Sequence, residues 1–249
     1  MKNIKHPHGN KRSFILKFFK KNLQIIIRFF TSFFCKLDKN DEIIISAATH
    51  APWNYDKEFK LFYNQVEHLT LLDKPRAYTL WQISKNLSHI KGIILDIGCL
   101  LGGSGFLMSK VNKIGEVHLF DSFSGFKKDD GLHKKEIFFY NDILSVKKNV
   151  KKFKLKNTFV HKAYFPEQIN IKIKSVKICH IDVNTYSDTK KVFNFVKNKI
   201  VKNGIIIFDD FGIWGVDGIK NFIYEIEKKY EKEFIFLKNY MGQCILIKK

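Results

Sequence analysis

Seven short apolar runs occupy the last two thirds of the chain, and longer segments with helical periodicity lie between most of them. The runs are "GIILDI" (92–97), "EVHLFD" (116–121), "NTFVHK" (157–162), "VKICHID" (176–182), "GIIIFDD" (204–210), "EFIFLKN" (233–239) and "QCILIKK" (243–249). A strand covered on both faces reads as an unbroken apolar run rather than an alternating one, and an intervening helix is what a parallel crossover requires. Only "YMG" separates the last two runs, too little for a crossover, so they must pair as an antiparallel hairpin. Upstream, residues 61–90 read as helices, with Pro75 opening a new one. At 249 residues the chain suits one large α/β core with appendages.

The first run leads into "LDIGCLLGGSG" (95–105), and the second ends on Asp121. A glycine-rich strand-to-helix turn admits a ligand close to the backbone, and an acid at the end of the second strand can accept hydrogen bonds from both hydroxyls of a ribose. Gly98, Gly102, Gly103 and Gly105 supply the turn, with Ser122 beside the acid. The order G-x-x-x-G-G is not that of a dinucleotide fold, and no lysine follows as a P-loop demands. A nucleoside without a pyrophosphate fits, and S-adenosylmethionine is the commonest such ligand. The competing reading is that the glycines serve only a tight turn.

Asp182 ends the fourth run, and Asp209 and Asp210 end the fifth. Neighbouring parallel strands would bring the three carboxylates together at the carboxyl edge of the sheet, where unpaired they repel. A hard divalent cation such as Mg²⁺, bound by oxygen alone, relieves that repulsion. Helix capping by Asp182 and Asp210 is the simpler alternative.

With these residues in place, the chain resembles the macrocin O-methyltransferase family. The likeness runs in order through "LTLLDKPRAYTLWQIS", "GIILDIGCLLGGSGFLM", "LFDSFSGF", "AYFPEQI", "HIDVNTYSDT" and "GIIIFDDFGIWGVDGIKNFI". It implies a Rossmann-like class I methyltransferase fold: a doubly wound, mostly parallel seven-stranded sheet closed by a C-terminal antiparallel hairpin, with helices added at the N-terminus. It also implies a metal-dependent enzyme that methylates sugar hydroxyls with S-adenosylmethionine. Position by position, Gly98 and Ser104 would line the methionine side of the cofactor, Asp121 and Ser122 would hold its ribose, and Tyr164 would lie near the adenine. Asp96 and Gly102 stand with them as cofactor contacts. Asp182, Asp209 and Asp210 match the metal ligands, and Asp182 matches the general base. Two positions depart from the pattern: Asn184 stands where a second acid is common, and Thr185 where some members carry a histidine base. Catechol-type enzymes usually have Asp-Asn in place of Asp209-Asp210, and no Pro-Pro-aromatic motif of amino-directed nucleic-acid enzymes follows Asp182.

The expected activity is O-methylation of a nucleotide sugar, a glycoside or a surface polysaccharide such as capsule or lipopolysaccharide. An RNA- or small-aromatic-directed methyltransferase and a non-catalytic membrane-surface or nucleic-acid-binding protein are the alternatives. His180 and His161 are read as core or pocket-wall residues, and Trp214 as either a sugar-covering or a packing residue. The run "KKNVKKFKLK" (147–156) reads as a solvated helix face, which makes nucleic acid an unlikely partner.

The formal net charge is +20. Ten basic residues and only Asp38 as acid fall within the first forty positions. Between Phe14 and Phe34, lysines and an arginine break every apolar run before it reaches the roughly 20 residues of a membrane span. They recur instead at helical spacing opposite Ile15, Phe19, Leu23, Ile26 and Phe30, as in a basic amphipathic helix. Such a helix can lie on an anionic bilayer or pack against the catalytic domain or a second subunit of a homo-oligomer. No cleavable signal peptide is expected. Cys35, Cys99, Cys179 and Cys244 form no C-x-x-C pair, which suits a reducing, cytoplasmic setting, with peripheral contact at the inner membrane surface as its extension. The expected division is a basic arm at 1–40, a helical lead-in at 41–90 covering cofactor and substrate, and a cofactor-binding catalytic domain at 91–249.

Overall fold

The computed structural model describes residues 11–32, 50–125, 142–213 and 217–249. The chain forms two compact units, Met1–Ala51 and Pro52–Lys249. In the first, α1 spans Lys11–Ser32 and has no acidic residue. Among the described residues no helix is long and apolar enough to cross a membrane.

The second unit begins with α2 (Lys57–Val66) and α3 (Lys74–Asn86). Each starts at an aspartate whose carboxylate accepts an otherwise unpaired amide of the first turn: Asp56 from Phe59 at 3.0 Å and Asp73 from Arg76 at 2.9 Å. Pro75 sits in the first turn of α3, where its missing N–H is no loss. Then β1 (Ile93–Ile97), α4 (Gly103–Val111), β2 (Val117–Asp121), α5 (Ile143–Lys152) and β3 (Thr158–Lys162) alternate. They are followed by β4 (Val176–Ile181), α6 (Tyr186–Val196), β5 (Ile200–Phe208), α7 (Asp217–Tyr230), β6 (Phe234–Lys238) and β7 (Cys244–Lys248).

The strand order is β3-β2-β1-β4-β5-β7-β6. The pairs among β1 to β5 are parallel, and β7 runs antiparallel to both β5 and β6. All seven apolar runs are strands, and the last two form the hairpin their short connection requires. The fifth strand starts earlier than its apolar run, at Ile200. Exposed Lys202 and Asn203, the latter with φ +62°, interrupt its apolar pattern at a register shift.

Two apolar cores cover the two faces of the sheet. On one, Phe59, Phe62, Leu80 and Trp81 of α2 and α3 pack with Phe106 of α4 and Ile94 of β1. On the other, Phe193 of α6 and Phe222 of α7 pack with Leu95 and Ile97 of β1. Alternation along β1 therefore turns Asp96 toward the first core, the side of α3. Residues 52–90 are thus part of the same compact unit as the sheet, because their aromatic side chains complete its first core. The expected boundary at residue 90 does not separate structural units.

Candidate active site

The cavity opens at the carboxyl ends of β1, β2 and β4. Gly98, Ser104, Asp121, Ser122, Tyr164 and Asp182 are among the residues that line it, with Ile97, Phe120, Ala163 and Phe165 as apolar wall. Gly98 adopts φ +89°, and a Cβ there would sit 1.9 Å from the Asp182 carbonyl oxygen, so only glycine lets the two strand exits pass each other. Their backbones are tied: Asp182 N–H donates to Ile97 O at 2.9 Å, and Gly98 N–H to Phe120 O at 2.8 Å.

Asp121 is fixed through both oxygens. Oδ2 accepts the Leu100 amide and Oδ1 the Phe123 amide, each at 2.8 Å. Both donors carry left-handed backbone, Leu100 at φ +50° and Phe123 at φ +49°, conformations that cost a branched or bulky residue energy and that cluster at binding sites. Burial raises the Asp121 pKa, and the Phe123 and Leu100 amides work against that rise. Each oxygen keeps a further lone pair for a ligand hydroxyl. Ser122 Oγ donates to Gly125 O at 3.1 Å, closing the loop after β2.

Two of the expected cofactor contacts are not at the cavity. Asp96 is fully buried and its carboxylate is spent inside the protein, accepting Ser104 Oγ at 2.7 Å on one oxygen and bonding His180 Nδ1 at 2.7 Å on the other. It therefore positions Ser104 rather than touching a ligand itself. Gly102 is the N-cap of α4 at φ +92°, and a Cβ there would lie 2.6 Å from the Phe106 ring, so its role is to seat the helix on the core.

The acids form a second group beside the first. Asp96 and His180 are register partners on β1 and β4, which sets them side by side on one face. His180 is fully buried and bonds Asp209 Oδ2 through Nε2 at 3.2 Å. Burial disfavours its imidazolium, yet the hydrogen bonds to Asp209 and Asp96 prevail and raise its pKa to about 10. The Arg76 guanidinium, on the first turn of α3, bonds Asp209 Oδ1 at 2.8 Å and Asp210 Oδ1 at 3.0 Å, while its Nε bonds Asp73 at 3.1 Å. Burial pushes the Asp209 carboxyl upward, but His180 and Arg76 hold it below the usual carboxylate range. Burial and the Asp209 charge raise Asp210. Asp182 goes further: burial and then the charges of Asp209 and Asp210 raise it well above its ordinary value.

The sequence argument counted three uncompensated carboxylates. The structure adds two protein cations to that count, Arg76 and His180, so a metal ion is not the sole source of positive charge there. Among the described residues these two cations bond Asp96, Asp209 and Asp210, while burial and then the charges of Asp209 and Asp210 raise Asp182. Ligand atoms of His180, Asp182 and Asp209 lie within 4.8 Å of one another. His180, with both ring nitrogens bonded to carboxylates, offers no free lone pair, so the donors that could hold a hard divalent cation are the oxygens of Asp182 and Asp209, with Asp210 adjoining. A cation in the first turn of a helix opposes the macrodipole, which in the sequence hints at an anion near Arg76 but does not say which one.

His161 does not reach the cavity; it pairs with His118 at 3.0 Å and stacks on Phe120. In the run 147–156 the lysines are exposed while Phe153 and Leu155 pack inward, as a solvated helix face does. Trp214 lies outside the described residues.

A mostly parallel sheet closed by an antiparallel hairpin, with a strand-end acid facing a glycine turn, is the architecture of class I methyltransferases. The macrocin-O-methyltransferase (TylF) family model matches residues 70–232, and the chain belongs to that family of O-methyltransferases. No curated protein matches it. Among solved structures it is similar to the O-methyltransferase NovP, with a TM-score of 0.63 at 15% identity over 73% of this chain and 82% of that one. The calicheamicin methyltransferase CalS11 gives 0.60 at 13% identity over 85% and 99%. An O-methyltransferase from Bacillus cereus in complex with SAH gives 0.52 at 17% over 77% and 90%. At these identities the likeness is one of fold.

Proposed function

We propose that the protein methylates a sugar hydroxyl, with S-adenosylmethionine in the cavity above Gly98 and Asp121 and a divalent cation such as Mg²⁺ held by Asp182, Asp209 and Asp210. One observation carries this reading: Asp182 belongs both to the wall of the cofactor cavity and to the acid cluster, so the two chemistries meet at one side chain. Sugar hydroxyls are weak acids, and a divalent cation at such a site supplies the charge that makes an acceptor oxygen easier to deprotonate. Asp182 takes the proton. Arg76 and His180 keep Asp209 ionised and oriented. Asn184 lines the same cavity at φ +59°, and its Oδ1 has no partner among the described residues, which suits acceptance of a hydrogen bond from a bound hydroxyl.

The family is the support for a sugar acceptor. A nucleotide sugar, a glycoside or a surface polysaccharide, met in the cytoplasm, is the finer part of the same proposal. The test pairs calorimetry with turnover. Asp209→Asn should abolish methyl transfer, by at least about a hundredfold, while S-adenosylhomocysteine binds as before. Sugar nucleotides and glycosides should accept label from the methyl donor where RNA and small phenols do not. Full turnover after exhaustive chelation, or loss of cofactor binding together with activity in Asp209→Asn, would overturn the reading.

A further inference from the structure

The helix α1 is not used by the active-site chemistry, and its surface is unusual. Phe18, Phe19, Leu23, Ile25, Ile26 and Phe30 are each 48–66% exposed. At 3.6 residues per turn, the apolar positions from 14 to 30 spread over an arc of roughly 220°, with Asn22 the one polar residue inside it over that span and Lys11 and Arg12 of the first turn below it. Positions 17, 20, 21, 24, 28 and 31 share the remaining sector of roughly 140°. The helix carries six basic residues and no acidic one.

We propose that α1 is a membrane-surface anchor that lies in the headgroup region of an anionic bilayer. A helix that packs on a globular core needs an apolar stripe of about 100°, and a coiled-coil seam is narrower still. An arc twice that width is left largely in water by either arrangement, whereas a bilayer interface covers it at once. Charge argues the same way. A second copy of α1 would bring six like charges against six, with no acid on either helix to pair them, while anionic lipid headgroups neutralise each one. Lysine and arginine stems at the edges of the arc can run along the apolar surface and leave their charges at headgroup level. The anchor fits a lipid surface rather than a span, because no described helix is apolar enough to cross one.

The test is flotation of the full chain with vesicles, alongside S-adenosylhomocysteine calorimetry on the same samples. Vesicles rich in phosphatidylglycerol should carry the protein, and phosphatidylcholine alone or high salt should lower binding by about tenfold or more. The Lys20→Glu/Lys21→Glu and Phe19→Asp/Phe30→Asp doubles should each reduce it similarly and leave cofactor affinity unchanged. Equal binding to neutral and anionic vesicles would overturn the proposal. So would no binding, or self-association that Phe19→Asp/Phe30→Asp abolishes while vesicles are ignored. Failure of the catalytic reading would show separately, as a wild-type chain without cofactor affinity.

Discussion

The Arg76 guanidinium contacts three carboxylates at once, on Asp73, Asp209 and Asp210, and two of these are proposed metal ligands. Asp209 is fully buried, so its ionised form survives only because Arg76 and His180 flank it. Removing one partner of a buried ion pair leaves the other charge without compensation and typically costs about 3 kcal/mol or more. Arg76→Met should therefore lower the urea-unfolding stability of chelator-treated protein by about that amount. Mg²⁺ should then restore more stability to the variant than it adds to the wild type, since the oxygens that Arg76 vacates become available to the cation. Equal stabilisation of both proteins would mean that arginine and cation do not share ligands. Arg76→Lys should fall between, because an ammonium keeps the charge but not the planar fork that reaches both acids.

At the scale of elements, β4 carries a second buried cation far from the chemistry. Lys177 is fully buried in a central strand, and its Nζ donates to Asn112 Oδ1 at 2.6 Å, Ile114 O at 2.7 Å and Ile90 O at 3.1 Å. These acceptors belong to the turn before β1 and the loop after α4, so one ammonium ties both connections to the amino edge of the sheet. Lys177→Met fills a similar volume but strands three acceptors, and should cost about 3 kcal/mol in chemical denaturation without changing cofactor affinity. If the loss is well under 1 kcal/mol, water satisfies those carbonyls and the clip is not structural. The strands were legible because burial on both faces writes itself as an unbroken apolar run, and the hairpin because three residues cannot cross over a sheet. Asp121, Asp182, Asp209 and Asp210 were legible because strand ends are local features. The partners of these acids were not. Arg76 and Asp209 are 133 positions apart, and Asp96 and His180 are 84 apart, joined only by strand register. The same absence of pairing information made Asp96 look like a ligand contact when it is a support beneath Ser104.

For the molecule as a whole, the pH dependence of stability carries a component from the imidazole pair formed by His118 of β2 and His161 of β3. His118 Nδ1 and His161 Nε2 lie 3.0 Å apart, and His118 Nε2 bonds Glu116 at 3.0 Å. Between two rings that share a single proton, a second proton is unwelcome. Burial, and then the charges of His118 and of Lys147 on α5, lower the His161 pKa to about 4. Burial also lowers His118, against the opposing pull of Glu116. The folded state thus binds fewer protons than the unfolded chain between the ordinary histidine value near 6.5 and about 4. Stability from this pair is present in full above about 6.5 and is lost as pH falls through that window toward the folded value. His161→Gln keeps a donor for His118 but cannot titrate. Its unfolding free energy should therefore decline less steeply than the wild type's between pH 6.5 and 4, by a difference on the order of 1 kcal/mol given the partial exposure of the ring. Carboxylates titrate in the same window in both proteins and cancel in the comparison. Parallel curves would place the acid sensitivity elsewhere, in the carboxylates that the basic surface holds ionised.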